Sequence, residues 1–277
     1  MAARSPLPTA AQQVGMTPPL QLYRLRGQAY ETIGDFERAQ ENFQQALTQT
    51  RADADRHQEW HTLQDLGQLW ASHDYAQAGD YFQEALSLAR QRDEPSALAR
   101  SLNRIGNWHA NIEQPFAALD HHLEALAIFE TLADRAGQAE TLDFLGMASF
   151  MAGDLFKSYA YYERATALFR ELDNRAGLVS GLPMLTLVRR NIFSLSVPAD
   201  TDLSQCVPIA WSAVALARDI EWRAGESNAL LALGLTYIFQ GDYGQGLAHI
   251  SQAITIAEEI EHRLWLAYGI GHWGSPI

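Results

Sequence analysis

Residues 23–46 read YRLRGQAYETIGDFERAQENFQQA. Tyr23, Gly27 and Tyr30 are spaced by four and three, Gly34-Asp35 interrupts, and Ala39, Phe43 and Ala46 then resume the same rhythm. Apolar and small residues at three- and four-residue spacing share one face of a helix, and Gly-Asp is a turn signal. The stretch therefore predicts two helices folded back on each other.

The same sentence returns along the chain. Its glycine stands at Gly27, Gly67, Gly106, Gly146, Gly234 and Gly274, intervals of 40, 39, 40, 88 and 40 residues by subtraction, and the 88 is two periods plus an insertion with Thr186 where a glycine is missing. A large, mostly apolar residue precedes each glycine position by four: Tyr23, Leu63, Leu102, Leu142, Leu182, Leu230 and Ile270. The second stretch of each unit carries Ala46, Ala85, Ala125, Ala165, Ala213 or Ala253. A glycine on one helix and an alanine on the other let two axes approach closely while the bulky residues fill the gaps. Periods of this length mean stacked helical hairpins that bury a core between neighbours.

The order of bulky residue, Leu, Gly, aromatic, then Ala, Phe and Ala resembles the tetratricopeptide repeat (TPR), and Tyr23, Gly27, Tyr30, Ala39, Phe43 and Ala46 match it almost position for position. The period is longer than the standard repeat of about 34 residues. The added residues are expected between the second helix and the next first helix, around Asp134-Arg135-Ala136-Gly137 and Asn174-Arg175-Ala176-Gly177. Long units of this kind are similar to the TPR regions of kinesin light chains and of bacterial signal-transduction ATPases and transcriptional activators. The resemblance implies an all-α, right-handed α-solenoid of antiparallel helix pairs. It spans residues 20–277 as six pairs plus the first helix of a seventh, from His262-Arg263-Leu264-Trp265 through Trp273.

Residues 1–19, with Pro6, Pro8, Pro18 and Pro19, read as a flexible leader or linker. The fifth repeat is irregular. Pro183 falls inside its first helix, where it is expected to kink the helix or delay its start, and an insertion near 192–205 is expected to replace the tight turn by a loop. A hydrophobic share of 47% is enough for a continuous core. The net charge of −13 argues against a nucleic-acid partner, which needs clustered Lys and Arg. No signal peptide is read in residues 1–15, and the apolar run 178–188 is too short to span a bilayer, so no membrane partner and a cytoplasmic location are expected. Cys206, the single cysteine, excludes an internal disulfide and reads as a buried, inert thiol.

In the TPR resemblance the first helices line a concave groove, and the outward columns flank the glycine. In the first three repeats these columns hold Arg24, Gln28, Gln64, Asp65, Gln68, Asn103, Arg104, Asn107 and Asn111, a polar strip. In repeats four to six they hold Phe144, Met147, Phe150, Met151, Leu235 and Phe239, with Met184, Leu187, Leu231 and Ile238, an apolar strip. Asn103, Asn107 and Asn111 climb one helix face as a ladder whose amides offer donor and acceptor to an extended peptide backbone, and Arg104 adds a charge-assisted contact. Large exposed apolar patches are seldom left without a partner.

Catalytic readings are weak. His57 and His61 are four apart on a helix, but the glutamate between them is misplaced for a zinc-protease motif, and no metal, cofactor or catalytic residue is expected. His109 and His122 occupy the aromatic and Phe columns of repeat three and are expected to meet inside the hairpin, either as a satisfied polar pair or as a pH-sensitive joint. Two functions fit the chain. One is a non-catalytic scaffold that binds a peptide or protein domain in the groove. The other is a sensory or autoinhibitory TPR arm, a fragment of a larger bacterial ATPase-type transcriptional regulator or cyclase.

Overall fold

The computed structural model describes residues 20–195 and 205–260. The expected leader (1–19), the seventh first helix and part of the insertion lie outside the described residues. Among those described, twelve α-helices and no strand are present. The chain divides into two compact units that meet in sequence between Ile112 and Glu113.

The first unit holds α1 (Leu20–Thr32), α2 (Phe36–Ala52), α3 (Arg56–Trp70), α4 (Tyr75–Arg90) and α5 (Pro95–Asn111), each packed on the next. Its core is Phe43, Leu47, Trp60, Leu63, Leu66, Leu69 and the small Ala39, Ala85 and Ala89 between them. The second unit holds α6 (Pro115–Thr131), α7 (Arg135–Met151), α8 (Leu155–Glu171), α9 (Arg175–Leu195), α10 (Cys206–Asp219), α11 (Arg223–Phe239) and α12 (Tyr243–Glu259). Here too each helix packs on its successor, and α9 also touches α11. The core runs through Leu142, Leu145, Phe169, Leu182, Leu230 and Leu233.

The glycine columns are steric, as the repeat predicts. A Cβ at Gly27 would lie 2.5 Å from the Phe43 ring, one at Gly67 2.4 Å from Phe82, and one at Gly146 2.8 Å from Tyr162. At Gly234 the obstacle is backbone: the Gly246 carbonyl oxygen would sit 2.7 Å away. The turns after the first helices use Gly34, Gly153 and Gly241 at φ of 76°, 82° and 88°, which only glycine adopts without strain. Asp35, Asp154 and Asp242 then cap the second helices by accepting from the backbone N–H three residues on.

The connectors back to the next first helix differ from expectation. Between α6 and α7 only Leu132, Ala133 and Asp134 are non-helical, and Arg135, Ala136 and Gly137 already belong to α7. Asp134 N donates to Phe129 O at 3.0 Å and Ala133 N to Glu130 O at 3.1 Å, the paired bonds of a Schellman ending. Asp134 then caps α7 through Gly137 N at 2.9 Å. The residues beyond a 34-residue period therefore lengthen the helices, and α7 and α8 reach 17 residues each. Gly137 is required because a Cβ there would meet the Phe129 ring at 2.4 Å.

Pro183 does not delay α9, which runs unbroken from Arg175 to Leu195 with the proline buried inside it. Packing against α8, α10 and α11 outweighs the missing donor. The helix also takes up the first residues of the expected loop, and residues 196–204 lie outside the described residues. Thr186, in the glycine column, is buried and satisfies its hydroxyl on Pro183 O at 2.8 Å.

Candidate functional site

In the first unit much of the polar strip is bonded to itself. Arg24, on α1, donates to Asp65 at 2.8 Å and to Gln58 at 3.1 Å, both on α3. Arg104, on α5, reaches back to Gln68 at 2.9 Å, so its guanidinium is partly engaged by an amide. Gln64 donates to Ser101 at 3.2 Å, while its Oε1 is buried and accepts no bond. The asparagine ladder is graded: Asn103 is buried, Asn107 half-buried and Asn111 exposed. Gln28 and Gln68 are exposed. The strip thus offers amides along α3 and α5, with Asn103 already committed inside the protein.

In the second unit the apolar strip is part core and part surface. Phe150 and Met184 pack beside Tyr162, Leu185 and Val188. Phe144 stacks on His122 with centroids 5.4 Å apart, and Leu235 is half-buried. Met147, Met151 and Phe239 remain 39%, 42% and 37% exposed. A separate cleft of about 520 Å³ opens at the turn end of this unit, between Phe116, Leu119, Leu155, Phe156 and Ile192.

One further residue belongs to the same columns. Asp143 stands three before Gly146, in an outward column of α7, amid Phe144, Met147, Phe150 and Met151. Its Oδ1 is buried and accepts no bond. Burial, and then the charge of Glu140, holds its carboxyl up at about 7. The signal available was its column, but an acid among apolar neighbours reads as solvated surface, and only the tertiary packing shows it enclosed.

The histidines do not assemble a metal centre. His57 and His61 meet edge to face with centroids 4.7 Å apart, and Arg92 Nη2 lies 3.0 Å from His57 Nδ1. Among the described residues no three His, Cys, Asp or Glu side chains are placed to hold a metal ion. His122 is buried in the second unit, and its imidazole is held down to about 3 by burial and then by His121. His109 lies in the first unit, half-buried and edge-on to Trp108 at 4.9 Å. Cys206 is buried.

Helix pairs locked by a first-helix glycine against a second-helix aromatic, repeated in both units, define a helical-repeat protein of the kind that presents side chains from its first helices. The chain carries tetratricopeptide repeats: models of the tetratricopeptide repeat family match residues 19–91 and 227–260. No curated protein matches it in sequence. Among solved structures it is similar to a Rap protein complexed with competence and sporulation factor, with TM-score 0.71 and 12% identity over 93% of this chain and 72% of that one. It is similar to the Rap conjugation gene regulator of the plasmid pLS20 in complex with the Phr* peptide, with TM-score 0.64 and 13% identity over 94% and 82%. It is also similar to a signal-transduction ATPase with a tetratricopeptide repeat sensor from Pyrococcus horikoshii, with TM-score 0.68 and 13% identity over 91% of this chain and 37% of that one. At these identities the likeness is one of fold.

Proposed function

We propose that this chain is a non-catalytic scaffold that works in the cytoplasm and binds a peptide or protein segment on the outward faces of its first helices. The observation that carries the reading is that Met147, Met151 and Phe239 stay exposed in the outward columns of the second unit. Apolar surface of that kind is stabilised by a partner. The first unit contributes amides instead, from Gln28, Gln64, Gln68, Asn107 and Asn111. Amides of this kind suit a peptide backbone, because each supplies both a donor and an acceptor. A Rap protein of the same fold is described in complex with a peptide, which supports the same use here. No described helix is long and apolar enough to cross a membrane.

The test is capture of peptides from a random immobilised library by the full chain and by a Met147→Asp, Met151→Asp double variant. The scaffold reading expects retained peptides that the variant loses, with unchanged circular dichroism. A chain that retains no peptide overturns it.

A second reading has one observation in its favour, the match to the ATPase with a repeat sensor, of which this chain spans 37%. That protein is described as a signal-transduction ATPase with numerous domains and a tetratricopeptide repeat sensor. An in-frame P-loop domain in the genomic sequence beside this chain is the expected outcome, and stop codons on both sides count against it.

A further inference from the structure

Among the described residues Asp143, unlike the buried acids Glu59 and Glu226, has no cation within ion-pair distance. The buried Glu59 and Glu226 are each held by two arginines: Arg51 and Arg56 at 3.0 and 2.8 Å, and Arg218 and Arg223 at 2.7 and 2.8 Å. Asp65, in the same set of outward columns, has Arg24. Asp143 Oδ1 is shut away from water and accepts no bond. On α9 the backbone comes close: a Cβ at Gly181 would lie 3.4 Å from Oδ1 and 3.1 Å from the Thr166 methyl. A buried, unbonded carboxyl oxygen is costly, and a fold keeps one where something else supplies the partner.

We propose that Asp143 anchors a cationic side chain, an arginine guanidinium or a lysine ammonium, of the peptide bound on the first-helix face of the second unit. The proposal rests on the reading of that face as a peptide surface. Asp143 itself is only half-buried, so the carboxyl group lies within reach of the outward face although Oδ1 is enclosed. One turn along α7, exposed Met147 flanks it, and Phe144 follows it directly. Arginine and lysine carry long apolar stems that lie along such surface while the charged head reaches an acid. The ligand class is therefore a peptide with a basic residue beside apolar ones.

The anchor works in its ionised form, and the carboxyl is held up at about 7 in the free chain. The groups that face it are Glu140 on its own helix and Tyr162 on α8. From α6, His122 lies against the adjoining Phe144. On α9, Gly181 lies close to it, about two turns before Arg189 and Arg190. Recruitment of an arginine pulls Asp143 into its charged state, so a basic peptide binds about tenfold more tightly at pH 8 than at pH 6.

The experiment presents random hexapeptides, N-acetylated in one arm and free in the other, to the full chain and to Asp143→Asn. The expected result is selection of Arg or Lys next to apolar residues in both arms. For the best arginine peptide the affinity falls at least tenfold in Asp143→Asn, with a melting temperature no lower than that of the parent. Met147→Ala serves as the second variant and weakens all retained peptides while leaving the basic preference in place. Retention of apolar peptides without basic selection, or equal affinity in Asp143→Asn, overturns the anchor and leaves the scaffold reading standing. Loss of selection on acetylation assigns the cation to the peptide N-terminus and overturns the side-chain assignment. Failure to retain any peptide removes the scaffold reading and the anchor together.

Discussion

Burial holds the Asp143 carboxyl up at about 7 and the His122 imidazole down at about 3, so the two residues tilt stability in opposite directions with pH. For Asp143 the folded value lies above the unfolded one of 3.8. The folded state therefore binds the extra proton, and stability is lost as pH rises from about 4 through 7. Replacing the acid by an isosteric amide removes that loss. Urea titrations are expected to show Asp143→Asn gaining about 2–3 kcal/mol more, relative to the parent, at pH 8 than at pH 5. For His122 the folded value lies below the unfolded 6.5, so the unfolded state takes the proton first and stability is lost as pH falls through 6.5. His122→Phe, which restores the residue type of Phe43 and Phe82 in that column, is expected to gain about 2 kcal/mol relative to the parent between pH 7.5 and pH 5. A difference that stays constant across that range counts against a buried neutral imidazole. The columns themselves were legible in the sequence, since Gly27, Gly67 and Gly146 do press on Phe43, Phe82 and Tyr162. The state of Asp143 was not, because an acid's partner is decided by which helices come to lie over it.

At the scale of the element, four of the five second-to-first connectors within the units share one device, the exception being Gln91–Glu94 between α4 and α5. Ala54, Ala133, Asp173 and Glu221 occupy the left-handed region at φ of 50–55°, each directly after the C-cap residue of a helix. The N–H of the following residue reaches back into the helix, as Asp55 does to Thr50 O at 2.9 Å and Asn174 to Phe169 O at 2.8 Å. A Cβ is disfavoured at such an angle, and glycine is the residue that adopts it freely. Ala133→Gly is therefore expected to raise stability by about 0.5–1 kcal/mol, read as a shift of the urea midpoint without change of slope. A loss of stability from this substitution counts against the left-handed assignment. Three of the first-to-second turns were readable, because Gly34, Gly153 and Gly241 announce a positive φ in the sequence. The return connectors were not: alanine, aspartate and glutamate give no such signal, and Arg-Ala-Gly resembles loop while it forms the first turn of a helix. Pro183 is a similar case, since a proline marks a break locally and the helix runs on through it among three neighbouring helices.

For the whole molecule, what matters is how far a local fault travels. Every helix in the first unit packs mainly on its immediate neighbours in sequence, and the same holds in the second unit apart from the contact between α9 and α11. Stability in such an array is close to a sum of repeat and nearest-neighbour terms. Gly67→Ala places a methyl 2.4 Å from the Phe82 ring, so α3 and α4 must move apart or the ring must leave its site. A strain of this kind in a packed core costs about 1–3 kcal/mol. In a single cooperative globule that loss raises hydrogen exchange everywhere by the same factor. In a nearest-neighbour array it is expected to raise exchange in α3 and α4, less in α2 and α5, and not at all in α11 and α12. Mass-resolved exchange on the full chain distinguishes the two. Uniform acceleration out to α12 would mean that the chain unfolds as one body, and the first-helix faces of the two units would then gain and lose order together rather than separately.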